Sequence, residues 1–203
     1  TNCVWEENGA IYRRGEKILE TKDILIPGTH NIENYMAAIA LTEGLVTDEA
    51  ICQVARKFGG VEHRIELARV KDGVRFYNDS IASSPSRTIA GLRSFPEQVI
   101  LIAGGYDKHI PYDVLGPEIC KHVKKLFLGG ATGPKIRAAV EQAPEYTPGH
   151  PEIVDCADFT QAVLAAAKAA KPGDVVLMSP ASAAFDQFKN FMVRGQYFKK
   201  LIK

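Results

Sequence analysis

The feature that most constrains this chain is Val99-Ile100-Leu101-Ile102-Ala103, an unbroken apolar run between polar and turn-forming residues. A strand with one face in water alternates apolar and polar residues. A short continuous run is typical of a strand covered on both faces. Leu126-Phe127-Leu128 and Val175-Val176-Leu177-Met178 repeat the pattern, and Glu152-Ile153-Val154 is a shorter version. Helical periodicity separates them, over about 112–124, 134–143, 158–170 and 185–201. Alternation at this spacing predicts βαβ units and an α/β domain with a mostly parallel sheet covered on both faces. The alanine-rich stretch 161–170 reads as a tightly packed helix.

Upstream of that region the pattern differs. Glu66–Lys71 and Val74–Asn78 flank Asp72-Gly73, a strong hairpin signal. Pro85 sits just inside a helix start, with Ile89 and Leu92 on its inner face. Residues 1–26 read as short strands, followed by a helix over roughly 31–42. Thr47 caps a second helix whose first turn carries Asp48 and Glu49, where acids favour the dipole. Its expected buried stripe is Ile51, Val54, Ala55 and Phe58, and Gly59-Gly60 ends it. Two helices and an incomplete sheet do not easily close a core. A domain boundary is therefore expected at Gly59–Val61, dividing the chain into 1–59 and 60–203. Thr1 is not an initiator methionine, so the chain reads as cut from something longer.

Composition narrows the function classes. The 203 residues carry a formal net charge of +1, so no bulk field favours nucleic acid or an anionic membrane. Lys121, Lys124 and Lys125 are the densest basic group and read as a solvated helix face. The four cysteines never form a CxxC pair, which fits reduced thiols in a cytoplasmic protein. No HxxxH or HExxH spacing occurs among the five histidines, so no metal site is expected. No stretch approaches the ~20 apolar residues of a membrane span, and none reads as a signal peptide.

The ends of the candidate parallel strands hold the residues with chemistry. They are Asn78-Asp79-Ser80, Gly104-Gly105-Tyr106-Asp107-Lys108, Gly129-Gly130-Ala131-Thr132-Gly133-Pro134 and Ser179-Pro180-Ala181-Ser182. In a parallel sheet, ligands bind outside the carboxyl ends of the strands. Glycine pairs there either make the turn or let a ligand approach bare backbone. Asp79 lies well before the helix start that Pro85 marks, which favours ligand contact over capping. Lys108 is either a cation for a carboxylate or a surface lysine. Asn31 and Asn34, a helical turn apart, are either ligand contacts or a cap and its exposed neighbour. Arg64, in Glu62-His63-Arg64, either reaches a nucleotide phosphate or makes an interdomain ion pair. Neither GxGxxG nor GxxxxGK[ST] occurs, so no phosphate-cradling loop of either type is present.

Read in order, several segments resemble a Mur ligase. They are Gly28-Thr29-His30-Asn31-Ile32-Glu33-Asn34, Glu62-His63-Arg64-Ile65-Glu66, Asn78-Asp79-Ser80, Gly104-Gly105-Tyr106-Asp107-Lys108 and Ser179-Pro180-Ala181-Ser182. Asp186-Gln187-Phe188-Lys189-Asn190-Phe191 and Arg194-Gly195 complete the series, and the first of these stretches favours the D-glutamate-adding branch. The resemblance implies that 1–59 is the end of a central ATP-binding domain and 60–203 a C-terminal Rossmann-like, amino-acid-binding domain. It implies ATP with Mg²⁺ as cofactors, and D-glutamate and UDP-N-acetylmuramoyl-L-alanine as substrates joined through an acyl phosphate. A cytoplasmic monomer is expected, inactive as this piece alone. By the same resemblance Asn31 and Asn34 would contact adenine, Arg64 a phosphate and Asp79 the ribose or nearby nucleotide. Lys108, Ser83 and Phe191 would hold D-glutamate. Two residues depart from the family pattern: Ile81 stands where many members have lysine, and Ala184 where a substrate-binding serine is often found. Ser182 or backbone amides would replace that serine. A sister Mur ligase, a folylpolyglutamate synthase and a non-catalytic Rossmann-like binding module are the competing readings.

Overall fold

The computed structural model describes residues 3–203. Two compact units are present, Thr1–Gly60 and Val61–Lys203. The first holds a three-stranded antiparallel meander of β1 (Val4–Glu7), β2 (Ala10–Arg13) and β3 (Glu16–Glu20). Its turns are Asn8-Gly9 and Arg14-Gly15, all four residues at positive φ, the twist that two-residue hairpins need. Helices α1 (Thr29–Leu41) and α2 (Asp48–Lys57) complete the unit. The expected cap of α2 is present: Thr47 Oγ1 accepts from the Ala50 amide at 3.3 Å. The cap of α1 is Gly28 rather than Asn31, which sits inside the first turn. Ile11, Ile39, Ile51 and Ala55 are buried, but Val54 and Phe58 are 54% and 41% exposed. The expected stripe on α2 is thus narrower, because a three-stranded sheet covers only its Ile51–Ala55 edge.

The second unit is built on a six-stranded sheet. Its strands are β4 (Glu66–Lys71), β5 (Val74–Asn78), β6 (Val99–Ala103), β7 (Val123–Leu128), β8 (Glu152–Asp155) and β9 (Val175–Met178). Their order is β4-β5-β9-β6-β7-β8, with β4 antiparallel to β5 and all other pairs parallel. The hairpin turn is Asp72-Gly73, both at positive φ. Helices α3 (Pro85–Leu92), α4 (Leu115–His122) and α5 (Gly133–Glu141) cover one face; α6 (Phe159–Ala169) and α7 (Phe191–Leu201) cover the other.

The five-residue apolar run serves both faces. Val99, Leu101 and Ala103 enter the core under α3–α5, while Ile100 and Ile102 enter the one under α6 and α7. Burying each of the larger side chains contributes roughly 2 kcal/mol. Because the chain passes from β8 back to β9, between β5 and β6, connections leave neighbouring strand ends on opposite faces. In open α/β sheets such a switch point, here at the carboxyl ends of β5, β9 and β6, is where ligands bind.

Two expectations about this unit need correction. Lys124 and Lys125 lie on strand β7, not on a helix with Lys121; they pair with Asp174 at 2.5 Å and Glu152 at 2.7 Å. Helix α4 ends early because β7 begins at Val123, whose side chain is needed in the core. Helix α7 starts at Phe191 rather than 185, since Asn190 caps it by accepting from the Val193 amide at 2.9 Å. Among the described residues no helix is long and apolar enough to cross a membrane.

Candidate functional site

The loop after β5 is drawn tightly inward. Asn78 Nδ2 donates to Glu66 Oε2 at 2.9 Å and lies 2.9 Å from His63 Nδ1. Asp79 is 3% exposed, and both carboxylate oxygens are engaged. Oδ1 accepts from the Ile65 amide at 3.2 Å and Oδ2 from the Ser179 hydroxyl at 2.7 Å. Burial dominates its ionisation and pushes the carboxyl up to about 7, only partly opposed by those two donors and by Arg64 and Arg87. His63 and Ile65 both hold positive φ, at 68° and 46°. A β-branched residue in that region is strained, and such strain is kept where surrounding bonds enforce it, often at functional sites. Here the Asp79 carboxylate and the Ile81 amide, which donates to His63 O at 3.2 Å, do so.

The loop after β6 meets this one at Lys108. Lys108 Nζ donates to Ser83 O at 3.3 Å and reaches Ser83 Oγ at 3.4 Å. The expected cation and hydroxyl of the amino-acid site are therefore adjacent, on different loops, with Lys108 exposed. Neighbouring Asp107 pairs with Lys135 at 2.5 Å, and that lysine holds its carboxyl below the usual range.

The remaining candidates are placed more deeply. Ser182 is 1% exposed; its hydroxyl bonds Tyr112 OH at 2.9 Å and Thr132 Oγ1 at 2.7 Å. Thr132 Oγ1 in turn accepts from the Gly105 amide at 3.0 Å. Phe191 accepts the Ser80 hydroxyl at its carbonyl, 2.7 Å, and sets its ring edge-on to His63. Ala184 is buried. In the first unit, Asn31 Nδ2 donates to Pro27 O at 2.6 Å and its Oδ1 accepts from Asn34 Nδ2 at 3.3 Å. Asn34 is exposed, so the inner amide orients the outer one. Arg64 is exposed beside Asp79 in the second unit.

The glycine pairs have a packing role. A Cβ on Gly104 would lie 1.9 Å from Gly129 O, one on Gly105 2.4 Å from Ala183 O, and one on Gly130 2.8 Å from Gly105 Cα. They let three loops pack backbone against backbone. The residue that sequence reasoning left without a role is Arg194, in the first turns of α7. It is 1% exposed and donates to Ser80 Oγ at 3.1 Å, Ser80 O at 2.9 Å, Ser182 O at 3.0 Å and Ala183 O at 3.1 Å. An arginine on an amphipathic helix ordinarily faces solvent, so periodicity alone does not find it.

Glu62, His63 and Glu66 offer ligand atoms within 4.8 Å of one another. Lys199 Nζ already lies between the two carboxylates, 2.6 Å from Glu62 and 2.9 Å from Glu66. An ammonium there occupies the position and charge a divalent cation would need, so these residues do not fit magnesium.

A sequence model described as Mur ligase, glutamate ligase domain, matches residues 63–182. The chain belongs to the Mur ligase family. It is 52% identical over 197 residues to the UDP-N-acetylmuramoylalanine--D-glutamate ligase of Acetivibrio thermocellus, covering 95% of this chain and 42% of that protein. The Clostridium beijerinckii protein of the same name is 46% identical, over 97% of this chain and 43% of its own length. This Mur ligase chain thus spans well under half the length of those relatives. Among solved structures, a pseudomurein peptide ligase type C from Methanothermus fervidus matches with a TM-score of 0.66 at 15% identity, covering 98% of this chain and 41% of that one. The bifunctional folylpolyglutamate synthase/dihydrofolate synthase from Yersinia pestis matches at 0.65 and 16%, covering 97% and 44%. Those two share the fold; the sequence relatives are D-glutamate ligases.

Proposed function

We propose that this chain supplies the amino-acid-binding surface, and part of the nucleotide-binding surface, of a ligase that adds D-glutamate to UDP-N-acetylmuramoyl-L-alanine. In that reaction a carboxylate oxygen of the acceptor attacks the γ-phosphorus of ATP and ADP leaves. The D-glutamate amine then attacks the acyl phosphate, loses a proton and expels phosphate, leaving an amide. Lys108 and Ser83 receive a carboxylate of D-glutamate, since a cation beside a hydroxyl satisfies both of its oxygens. Their pairing across two strand-end loops is the observation that carries the reading. Phe191 and Ser182 shape the loops around that pair rather than offering free polar atoms.

For the nucleotide, the exposed Asn34 carboxamide, oriented by Asn31, matches the donor and acceptor edge of adenine. Exposed Arg64 suits a phosphate. Asp79 acts indirectly, holding the Ile65 amide and hence the backbone next to Arg64. Nucleotide use is consistent with two ADP-bound proteins of the same fold, the folylpolyglutamate synthase of Mycobacterium tuberculosis and FolC of Escherichia coli. Mg²⁺ would belong to the ATP, with protein ligands mostly outside this chain. The protein works as a cytoplasmic monomer in this reading.

The test is a titration of the chain with D-glutamate, following backbone amides of Ser83 and Lys108 by NMR. D-glutamate shifts them more strongly than L-glutamate, and Lys108→Met removes the response. Equal responses to both enantiomers, unchanged in Lys108→Met, would overturn the assignment. Given ATP, Mg²⁺ and both substrates, the 203-residue chain by itself releases no ADP dependent on D-glutamate. Such release would refute its being a partial catalyst.

A further inference from the structure

Arg194 is a buried cation whose four hydrogen-bond acceptors are all uncharged: one hydroxyl and the carbonyls of Ser80, Ser182 and Ala183. Burying a guanidinium is costly unless every donor direction is used and the geometry is tightly set. Burial pulls its pKa down to about 10, so it stays charged at neutral pH; Asp186 is the acid that opposes the shift. An apolar side chain in its place would leave those buried acceptors without their donors.

Its acceptors identify what it joins. Ser80 belongs to the loop that continues to Ser83, through the turn bonds Ala82 N to Asp79 O at 2.9 Å and Ser83 N to Ile81 O at 2.8 Å. Ala183 O accepts from Arg194 and also from the Tyr106 amide, at 2.9 Å, two residues before Lys108. Ser182 ties the same segment to Tyr112 and Thr132. Gly105 has no side chain where one would come 3.2 Å from Arg194 Nη1. Thus the loops bearing Ser83 and Lys108 are each held through atoms bonded to one rigid fork.

We infer that Arg194 is a positioning residue: its fork sets the spacing of the loops after β5, β6 and β9, and so the Lys108–Ser83 geometry that selects the amino acid. The inference rests on the proposed D-glutamate site. Lysine at this position keeps the charge but, as a compact point donor, cannot reproduce the fork's four bonds to the loops after β5 and β9.

The experiment compares the chain with Arg194→Lys, Ser80→Ala and, as a control, Arg137→Lys on the exposed face of α5. Amide hydrogen exchange and binding of D- and L-glutamate are measured on each. In Arg194→Lys the Tyr106 and Ser83 amides exchange about tenfold faster, while amides of β6 and β7 do not change. D-glutamate affinity falls about tenfold and the D-to-L preference moves towards unity, because Lys108 still attracts either enantiomer without the fixed partner. Ser80→Ala, losing one of the four bonds, shows the same effects more weakly, which keeps the test alive should Arg194→Lys fold poorly. Unchanged enantiomer preference in folded Arg194→Lys sinks the inference, as does loop exchange no faster than the control. A wild-type chain that binds neither enantiomer removes the substrate reading, while the exchange rates still decide whether the fork holds the loops.

Discussion

Asp79 carries a proton more tightly in the folded chain than in the unfolded one. With a folded pKa near 7 against the ordinary 3.8, its contribution to stability is complete below pH 3.8 and is lost as pH rises through about 7. The full effect is roughly 4 kcal/mol. Asparagine reproduces the protonated form: its oxygen can accept from Ile65 and its nitrogen can donate to Ser179. Asp79→Asn should therefore exceed the parent in urea unfolding by roughly 1–2 kcal/mol at pH 5 and by roughly 4 kcal/mol at pH 8. A constant difference between the two pH values would rule out this account. At the other extreme of chemistry, Gly104→Ala places a methyl 1.9 Å from Gly129 O at φ +108°, which should cost about 3 kcal/mol in the same assay. Lys108 was legible as a residue with a charge at a strand end. Its partner was suggested only by resemblance, because the Ser83 contact spans 25 positions of sequence. The inward turn of Asp79 was hidden for the same reason, since its partners Ile65 and Ser179 come from other segments.

At the level of elements, local signals were dependable where local physics decides. Asp72-Gly73 made the hairpin, Thr47 capped α2, and Pro85 opened α3. They failed where tertiary demand overrode periodicity. The segment 185–190 carries helix-compatible residues, yet Gln187 turns its side chain to accept from the Phe159 amide at 3.1 Å and Phe188 packs edge-on to Phe159. Those contacts hold it as a loop, and Asn190 starts the helix instead. Asn190→Ala should lower thermal stability by about 1 kcal/mol and fray the first turn of α7, read from exchange of the Val193 amide. The glycine pairs show the same limit: that backbones of three loops converge there is a property of strand order, which no single loop reveals.

For the whole molecule, the separation into Thr1–Gly60 and Val61–Lys203 has a direct consequence for folding. The second unit has two cores of its own, so residues 61–203 expressed alone should unfold in one cooperative transition by denaturant. A broad, non-cooperative curve would show that they depend on the first unit. Sheet class and strand positions were readable from apolar runs; strand order was not, because β9 enters between β5 and β6 after every other strand has been laid down. The sheet also ends in two unlike edges. β4 is interrupted by an irregularity between Leu67 and Arg69, and β8 is four residues long with Glu152 and Asp155 at its ends. A bulge on one border and a short, acid-tipped strand on the other deny a straight hydrogen-bonding template to a second sheet. The six-stranded sheet is thereby guarded against edge-to-edge aggregation even though its central strands are among the most apolar stretches of the chain.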